Sequence, residues 1–163
     1  MGEPKAEIRP LDRPGDLGWT IQAHGEIYAR EYGWNTDFEA LVARIVADYT
    51  DQDGPRGAWI AEVDGTRAGC VFCVPDPDAP DTARLRLLLV DPAARGLGLG
   101  TLLVRQCLDF ARQAGFTRMT LWTNSVLAAA RRIYQAHGFT LTAENRHHSF
   151  GTDLTGQTWS RPL

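Results

Sequence analysis

Apolar positions along this 163-residue chain switch repeatedly between a period of two, as in strands, and a period of three to four, as in helices. Residues 7–11 read as a short first strand. After Pro14 and Gly15, the residues Leu17, Ile21, His24, Tyr28 and Tyr32 recur at helical spacing, and Gly33 marks the stop. Thr36 and Glu39 have the spacing of a capping box. It precedes a second amphipathic helix carrying Phe38, Leu41, Val42, Ile45, Val46 and Tyr49. Asp64-Gly65 joins two apolar runs, 58–63 and 66–74, and predicts a hairpin. Residues 75–81, with three prolines, read as a turn-rich connector. A strand over 82–90 leads into a glycine-rich loop at 95–100, then a helix bearing Leu102, Leu103, Cys107 and Phe110. Another strand (116–122) and a helix (126–137, stopped by Gly138) follow. Late strands are expected at 139–143, around 147–150 and at 157–161, with a turn at 153–156. The order βαα, ββ, β-loop-α, β-α, ββ predicts one mixed α/β (α+β) domain over 1–163.

Charge and cysteine usage remove several function classes. The chain carries 17 basic and 20 acidic residues, a net charge of −3, so it lacks the basic excess of a nucleic-acid-binding surface. Its apolar runs fall short of a membrane span. Three cysteines, an odd and low number, fit a reducing compartment, and a cytoplasmic protein is expected. Cys70 and Cys73 have C-x-x-C spacing, but no second pair completes a zinc site. On a strand, an offset of three puts them on opposite faces as small core residues. No metal is expected.

The loop at 95–100, Arg-Gly-Leu-Gly-Leu-Gly, carries the sharpest chemistry. Gly96, Gly98 and Gly100 let backbone approach a ligand without Cβ interference. Their amides can form an anion nest, and the helix that follows adds free N–H groups and the positive end of its dipole. Arg95 adds a fixed charge. The spacing fits neither the dinucleotide fingerprint, since Thr101 and Leu103 stand where a third glycine is needed, nor a P-loop, which needs Gly-Lys-Ser/Thr.

What is present is Arg-x-x-Gly-x-Gly (Arg95, Gly98, Gly100) behind a strand ending Val-Asp-Pro, which resembles the coenzyme A signature of the GNAT acetyltransferases. A second stretch, Ala130-Arg-Arg-Ile-Tyr134-Gln-Ala-His-Gly138-Phe139, is similar to the A-x-x-x-Y-x-x-x-G-F segment of that family. Two further stretches, residues 24–34 and 147–151, resemble the acetyltransferase half of MarR–GNAT fusion proteins; no DNA-binding role transfers. The resemblance implies a mixed, mostly antiparallel sheet of about six or seven strands with about four helices. It implies acetyl-CoA as cofactor, held by Leu88, Leu89, Val90, Arg95, Gly96, Leu97, Gly98, Leu99, Gly100, Thr101, Asn124, Ala130 and Arg131. It also implies Tyr134 as general acid. Two positions depart from the family pattern. Leu127 stands where many members have Asn, with Asn124 the nearby polar group, and strand 84–90 lacks the carboxylate that serves many members as base.

Acetyl transfer to an amine requires a positioned thioester, a polarised carbonyl, a neutral amine and a protonated leaving thiol. A pantetheine arm can pair with an exposed edge of strand 84–90, and backbone N–H groups near Leu88–Val90 can donate to the carbonyl oxygen. The candidates for base are His24, Glu26, Glu31, His147 and His148. His147 and His148 are adjacent in an extended stretch, so one faces in and one out; either could border the acceptor, since His titrates in the useful range, and His148 is taken as the catalytic candidate. The acceptor pocket is expected from the first two helices and the last hairpin, with His24, Tyr28, Trp34 and Arg86 as substrate-binding residues. Arg84 and Arg86 share one strand face. A solvated face is their ordinary reading; where that face meets an acceptor, they would hold a carboxylate. The expected acceptor is a small primary amine. The alternatives are a protein acceptor or a non-catalytic acetyl-CoA-binding domain, and a homodimer is a further expectation.

Overall fold

A computed structural model describes residues 2–163; Met1 lies outside the described residues. The elements run β1 (Ala6–Pro10), α1 (Asp16–Tyr32), α2 (Thr36–Thr50), β2 (Gly57–Val63), β3 (Thr66–Asp76), β4 (Ala79–Val90), a single 3-10 turn (Pro92–Ala94), α3 (Leu99–Gln113), β5 (Arg118–Asn124), α4 (Ala128–Ala136), β6 (Thr140–Ser149) and β7 (Thr152–Pro162). The strands form one seven-stranded sheet in the order β1-β2-β3-β4-β5-β7-β6. All neighbours are antiparallel except β4 and β5. Among the described residues this gives seven strands and four α-helices, the mixed, mostly antiparallel α/β architecture that the resemblance implies.

Each sheet face has its own core. Val71, Cys73, Ala83 and Leu85 pack with Leu103, Val104 and Cys107 of α3 and with Tyr134 of α4. On the other face Ile60, Cys70 and Phe72 pack with Ile27 of α1 and with Phe38, Val42 and Val46 of α2. Cys70 and Cys73 therefore lie on opposite faces, as the alternation requires; all three cysteines are free and buried.

A buried ion-pair network fixes the start of α1. Asp16, fully buried, accepts from Arg9 Nη1 and Nη2 at 2.8 and 2.9 Å and from Arg67 Nε at 2.8 Å. The backbone N–H groups of Asp12 and Arg13 add bonds of 3.1 and 2.9 Å. The helix is thereby tied to β1 and β3.

Three local expectations are corrected. Asn35, not Thr36, caps α2, its side chain accepting from Asp37 N at 3.0 Å. The proline-rich segment 75–81 is mostly strand, since Pro75 pairs with Ala83 and Asp76 with Ala79. The final turn falls at Phe150–Gly151 rather than 153–156. Both residues have positive φ, +57° and +84°, as a two-residue hairpin turn requires. A phenylalanine is held there because its ring is buried against Trp34 and Phe38, at 5.0 and 5.1 Å, and its carbonyl accepts from Asn35 N. Tertiary packing outweighs the turn propensity of Asp153 to Gly156.

Candidate active site

The site begins with a wedge in the sheet. Strands β4 and β5 pair only from Thr82↔Arg118 to Leu85↔Leu121. Beyond that point β4 stays bonded to β3 as far as Val90↔Gly69, while β5 follows β7 to Asn124↔Gly156. The edge of β4 over 86–90 is thus left without a strand neighbour on its β5 side. An open edge of this kind is a template for an extended ligand.

A bulge sits at the mouth of the wedge. The β3–β4 register jumps between Cys70↔Leu89 and Phe72↔Arg86, and Leu87 takes φ +56°. Two residues of β4 therefore oppose one of β3 and the alternation shifts phase. Leu85 and Leu88 pack on the α3 face, whereas Leu87 and Leu89 pack toward α1 and α2. The Leu87 carbonyl accepts from Cys70 Sγ at 3.2 Å.

One cleft, about 400 Å³, lies over the glycine-rich loop. Its walls include Leu88, Leu89, Val90, Arg95, Gly96, Gly98, Leu99, Gly100 and Thr101, with Ala129, Ala130 and Ile133 opposite. Gly98 adopts the left-handed conformation (φ +74°) and starts α3. Among the described residues, no backbone acceptor takes the N–H groups from Gly96 through Thr101. A run of free amides at a helix N-terminus is a cradle for a diphosphate. A Cβ at Gly100 would stand 2.5 Å from Ile133 Cδ1, the tip of a side chain that would have to shift to admit it. Arg95 is paired with Glu31 of α1 across the cleft.

The second cavity, about 550 Å³, fills the wedge between β4 and β5 beneath α1 and α2. His24, Tyr28, Trp34, Phe38, Arg84, Arg86, Asn124 and Tyr134 are among its walls. Tyr134 is buried at 4% exposure, and its hydroxyl has no hydrogen-bond partner among the described residues. Burial pushes this phenol well above its ordinary range. His24 donates from Nδ1 to Thr20 O at 2.7 Å, so Nε2 carries a lone pair, buried and unpartnered. Burial lowers its pKa to about 4, and the ring is neutral at working pH.

Most of the residues singled out from sequence converge on these two spaces, but not all. Leu97 is exposed and lines neither cavity. Asn124 lines the wedge cavity rather than the cleft. Arg131 lines neither; its Nη1 bonds to Ser125 O at 3.2 Å, tying α4 to the preceding loop. Glu26, exposed on α1, lines neither cavity and takes a bond from Gln22 at 3.1 Å. His148 is not brought to the site: it is exposed on the edge strand and pairs with Asp153 at 2.8 Å. Its neighbour His147 faces inward. His147 Nε2 lies 2.8 Å from Asn124 Oδ1 and Nδ1 lies 2.8 Å from Ser149 Oγ. Nε2 therefore donates to the amide oxygen of Asn124. Replacing His147 by Ala leaves Asn124 Oδ1 without its partner. The expected loss is about 1–3 kcal/mol in urea unfolding; an unchanged midpoint would show that the bond carries no stability.

The sequence reading missed Leu87, Glu31's pairing with Arg95, and the cleft lining by Ala129 and Ile133. A sheet with a core on each face accepts a continuous apolar run, so Leu87-Leu88-Leu89 carries no signal for the bulge.

Comparison with known proteins is consistent with this geometry. Residues 21–139 match the acetyltransferase (GNAT) family. The chain is 30% identical over 123 residues to an uncharacterized N-acetyltransferase of Schizosaccharomyces pombe, covering 74% of this chain and 75% of that one. It is 30% identical over 159 residues to a mycothiol acetyltransferase of Beutenbergia cavernae, covering 87% of this chain but 51%, about half, of that protein. Among solved structures, one from Salmonella typhimurium with its cofactor acetyl-CoA superposes with a TM-score of 0.78 at 22% identity, over 98% of this chain and 94% of the other.

Proposed function

The chain belongs to the acetyltransferase (GNAT) family, and from that premise we propose that it transfers the acetyl group of acetyl-CoA directly to a small primary amine, with Tyr134 as general acid. Family membership makes it an acyltransferase with acetyl-CoA as donor. The observation that carries the finer reading is that the two cavities share a wall. Tyr28, Leu88, Leu127 and Ala130 line both. A diphosphate on the 95–100 loop and an amine in the wedge would therefore approach each other at the bulge of β4.

Acetyl-CoA supplies an activated thioester, and the residues present fit it. The free amides from Gly96 to Thr101 would hold the diphosphate. The open edge of β4 would pair with the arm, and its N–H groups near Leu88 would polarise the acyl oxygen. The neutral amine attacks the acyl carbon and the carbon–sulfur bond breaks. Tyr134 gives its proton to the departing sulfur and recovers one, through water, from the nitrogen. The products are the N-acetyl amine and free thiol. Nothing in the site requires a covalent acyl-enzyme. No cysteine lines either cavity, and burial raises the thiols of Cys70, to about 12, and of Cys107.

The shifts set the pH dependence. The raised phenol stays protonated through the working range, and His24 is neutral above about pH 5. Neither group titrates near neutrality. The expected kcat/KM rises with pH as the amine loses its proton, with no falling limb between about pH 7 and 9. A falling limb there would remove Tyr134 as the proton donor. The reading itself is tested by offering acetyl-CoA with a panel of primary amines and following products by mass spectrometry. At least one amine should gain an acetyl group with release of one equivalent of coenzyme A. Tight acetyl-CoA binding with no acetylated amine would overturn it.

A further inference from the structure

Two guanidinium groups in the wedge cavity form no ion pair among the described residues. Arg84 and Arg86 both line it from β4, on the side facing α1 and α2. Neither has a carboxylate oxygen within 4.0 Å among the described residues, and neither guanidinium makes a hydrogen bond there. By contrast Arg9, Arg67 and Arg95 all hold carboxylates. Arg86 is half-buried; burial and then the charge of Arg84 lower its pKa below the usual guanidinium range, and the charge of Asp48, beyond ion-pair distance, opposes them only in part. Two partly desolvated like charges, side by side on one strand face, are costly without an anion between them. Asp76 is the one carboxylate on the cavity wall, and its Oδ1 accepts from Asp78 N at 2.8 Å.

The remaining walls describe the rest of the ligand. Tyr28, Trp34, Phe38, Leu41, Val42 and Ile45 make the α1–α2 side aromatic and aliphatic. Beneath them His24 Nε2 keeps an unpartnered lone pair with no surface open to the cavity. The cavity thus combines an anion site with an apolar wall.

We propose that the acceptor is an amine that also carries a carboxylate, an α-amino acid with an apolar side chain, and that Arg84 and Arg86 bind that carboxylate in the wedge cavity. This rests on the amine-acetyltransferase reading above. It also supplies what the strand's missing carboxylate base leaves open. Two fixed positive charges beside an ammonium favour its neutral form, so the cavity itself promotes the nucleophile. A carboxylate suits guanidinium groups through paired, charge-assisted hydrogen bonds.

The test compares matched pairs: phenylalanine with phenethylamine, and leucine with isopentylamine. Two readouts are taken: kcat/KM at saturating acetyl-CoA, and calorimetric binding of N-acetylphenylalanine against N-acetylphenethylamine to the protein loaded with coenzyme A. The carboxylate-bearing member should be preferred by about tenfold or more in both. Arg86→Gln should collapse that preference, chiefly through KM and Kd, and Arg86→Lys should retain part of it. Circular dichroism confirms that each variant is folded. Equal treatment of the paired compounds would overturn the proposal, as would a preference that survives the Arg84→Gln/Arg86→Gln double variant. So would a phosphate-bearing amine such as phosphoethanolamine outcompeting every carboxylate. If no amine is acetylated but N-acetylphenylalanine binds in an arginine-dependent way, the anion site stands and the transferase reading fails. If amines are acetylated without regard to the carboxylate, the transferase reading stands and the anion site fails.

Discussion

Replacing Tyr134 by Phe is expected to lower kcat by about 10²–10⁴-fold while acetyl-CoA affinity stays within about twofold. The substitution removes one oxygen from a side chain that is otherwise a core aromatic. The ring packs edge-on against Phe139 at 5.8 Å and belongs to the core cluster of α3 and α4. Phenylalanine keeps that packing. The hydroxyl has no partner among the described residues, so its loss orphans no buried group and stability should move little. The diphosphate cradle is on another element, so donor binding should persist. Tyr28 is the internal comparison. It also lines both cavities, and its phenol is likewise raised by burial, but it stands on α1 stacked on Phe38 at 4.9 Å. Tyr28→Phe should therefore cost less than tenfold in kcat, an effect on the order of a single weak contact. Turnover of Tyr134→Phe at the unaltered rate would remove that residue from the chemistry.

The largest effect on stability is expected at Asp16. Asp16→Asn should destabilise the fold by about 3–5 kcal/mol, because it leaves Arg9 and Arg67 facing a buried neutral amide. In a domain of this length that is a fall of about 10 °C or more in Tm, readable by calorimetry. The pH dependence follows from the same contacts. Arg9 first, with the backbone N–H of Arg13 and then Arg67, holds the Asp16 carboxyl well below its ordinary range. A depressed folded-state pKa contributes stability above the unfolded value, roughly pH 3.9. That contribution is lost as the pH falls through the folded value, in strong acid. The native protein should lose it progressively below about pH 4, and Asp16→Asn should show no such acid limb. The consequence reaches the site, since α1 presents His24 and Tyr28 to the cavity from the end that Asp16 anchors. An unchanged Tm would mean that the network does not hold the helix.

The parts of the site that rest on local spacing were legible in the sequence. The glycines at 96, 98 and 100 determine backbone conformations within one loop, so their pattern survives without tertiary context. The same holds for the strand alternation that puts Arg84 and Arg86 on one face. What could not be read depends on register. Whether His147 or His148 faces inward is decided by where the β6–β7 turn falls, because a shift of one residue exchanges the two faces. That turn is placed at Phe150 by Trp34 and Phe38, residues more than 110 positions earlier. The sequence pattern put the turn at 153–156 and could not choose between the two histidines, while the fold gives His147 the bond to Asn124. The splaying of β4 from β5 is likewise a property of two strands and a bulge together, and no single segment encodes it.

The central claim is that donor and acceptor meet in adjoining cavities and that the acetyl group passes between them in one step. Initial rates measured over a grid of acetyl-CoA and amine concentrations test it most directly. Double-reciprocal lines that intersect, as for a ternary complex, are predicted, with no radiolabelled acetyl group retained on the protein when acetyl-CoA is supplied alone. Parallel lines accompanied by a stoichiometric acetyl-enzyme would contradict the account.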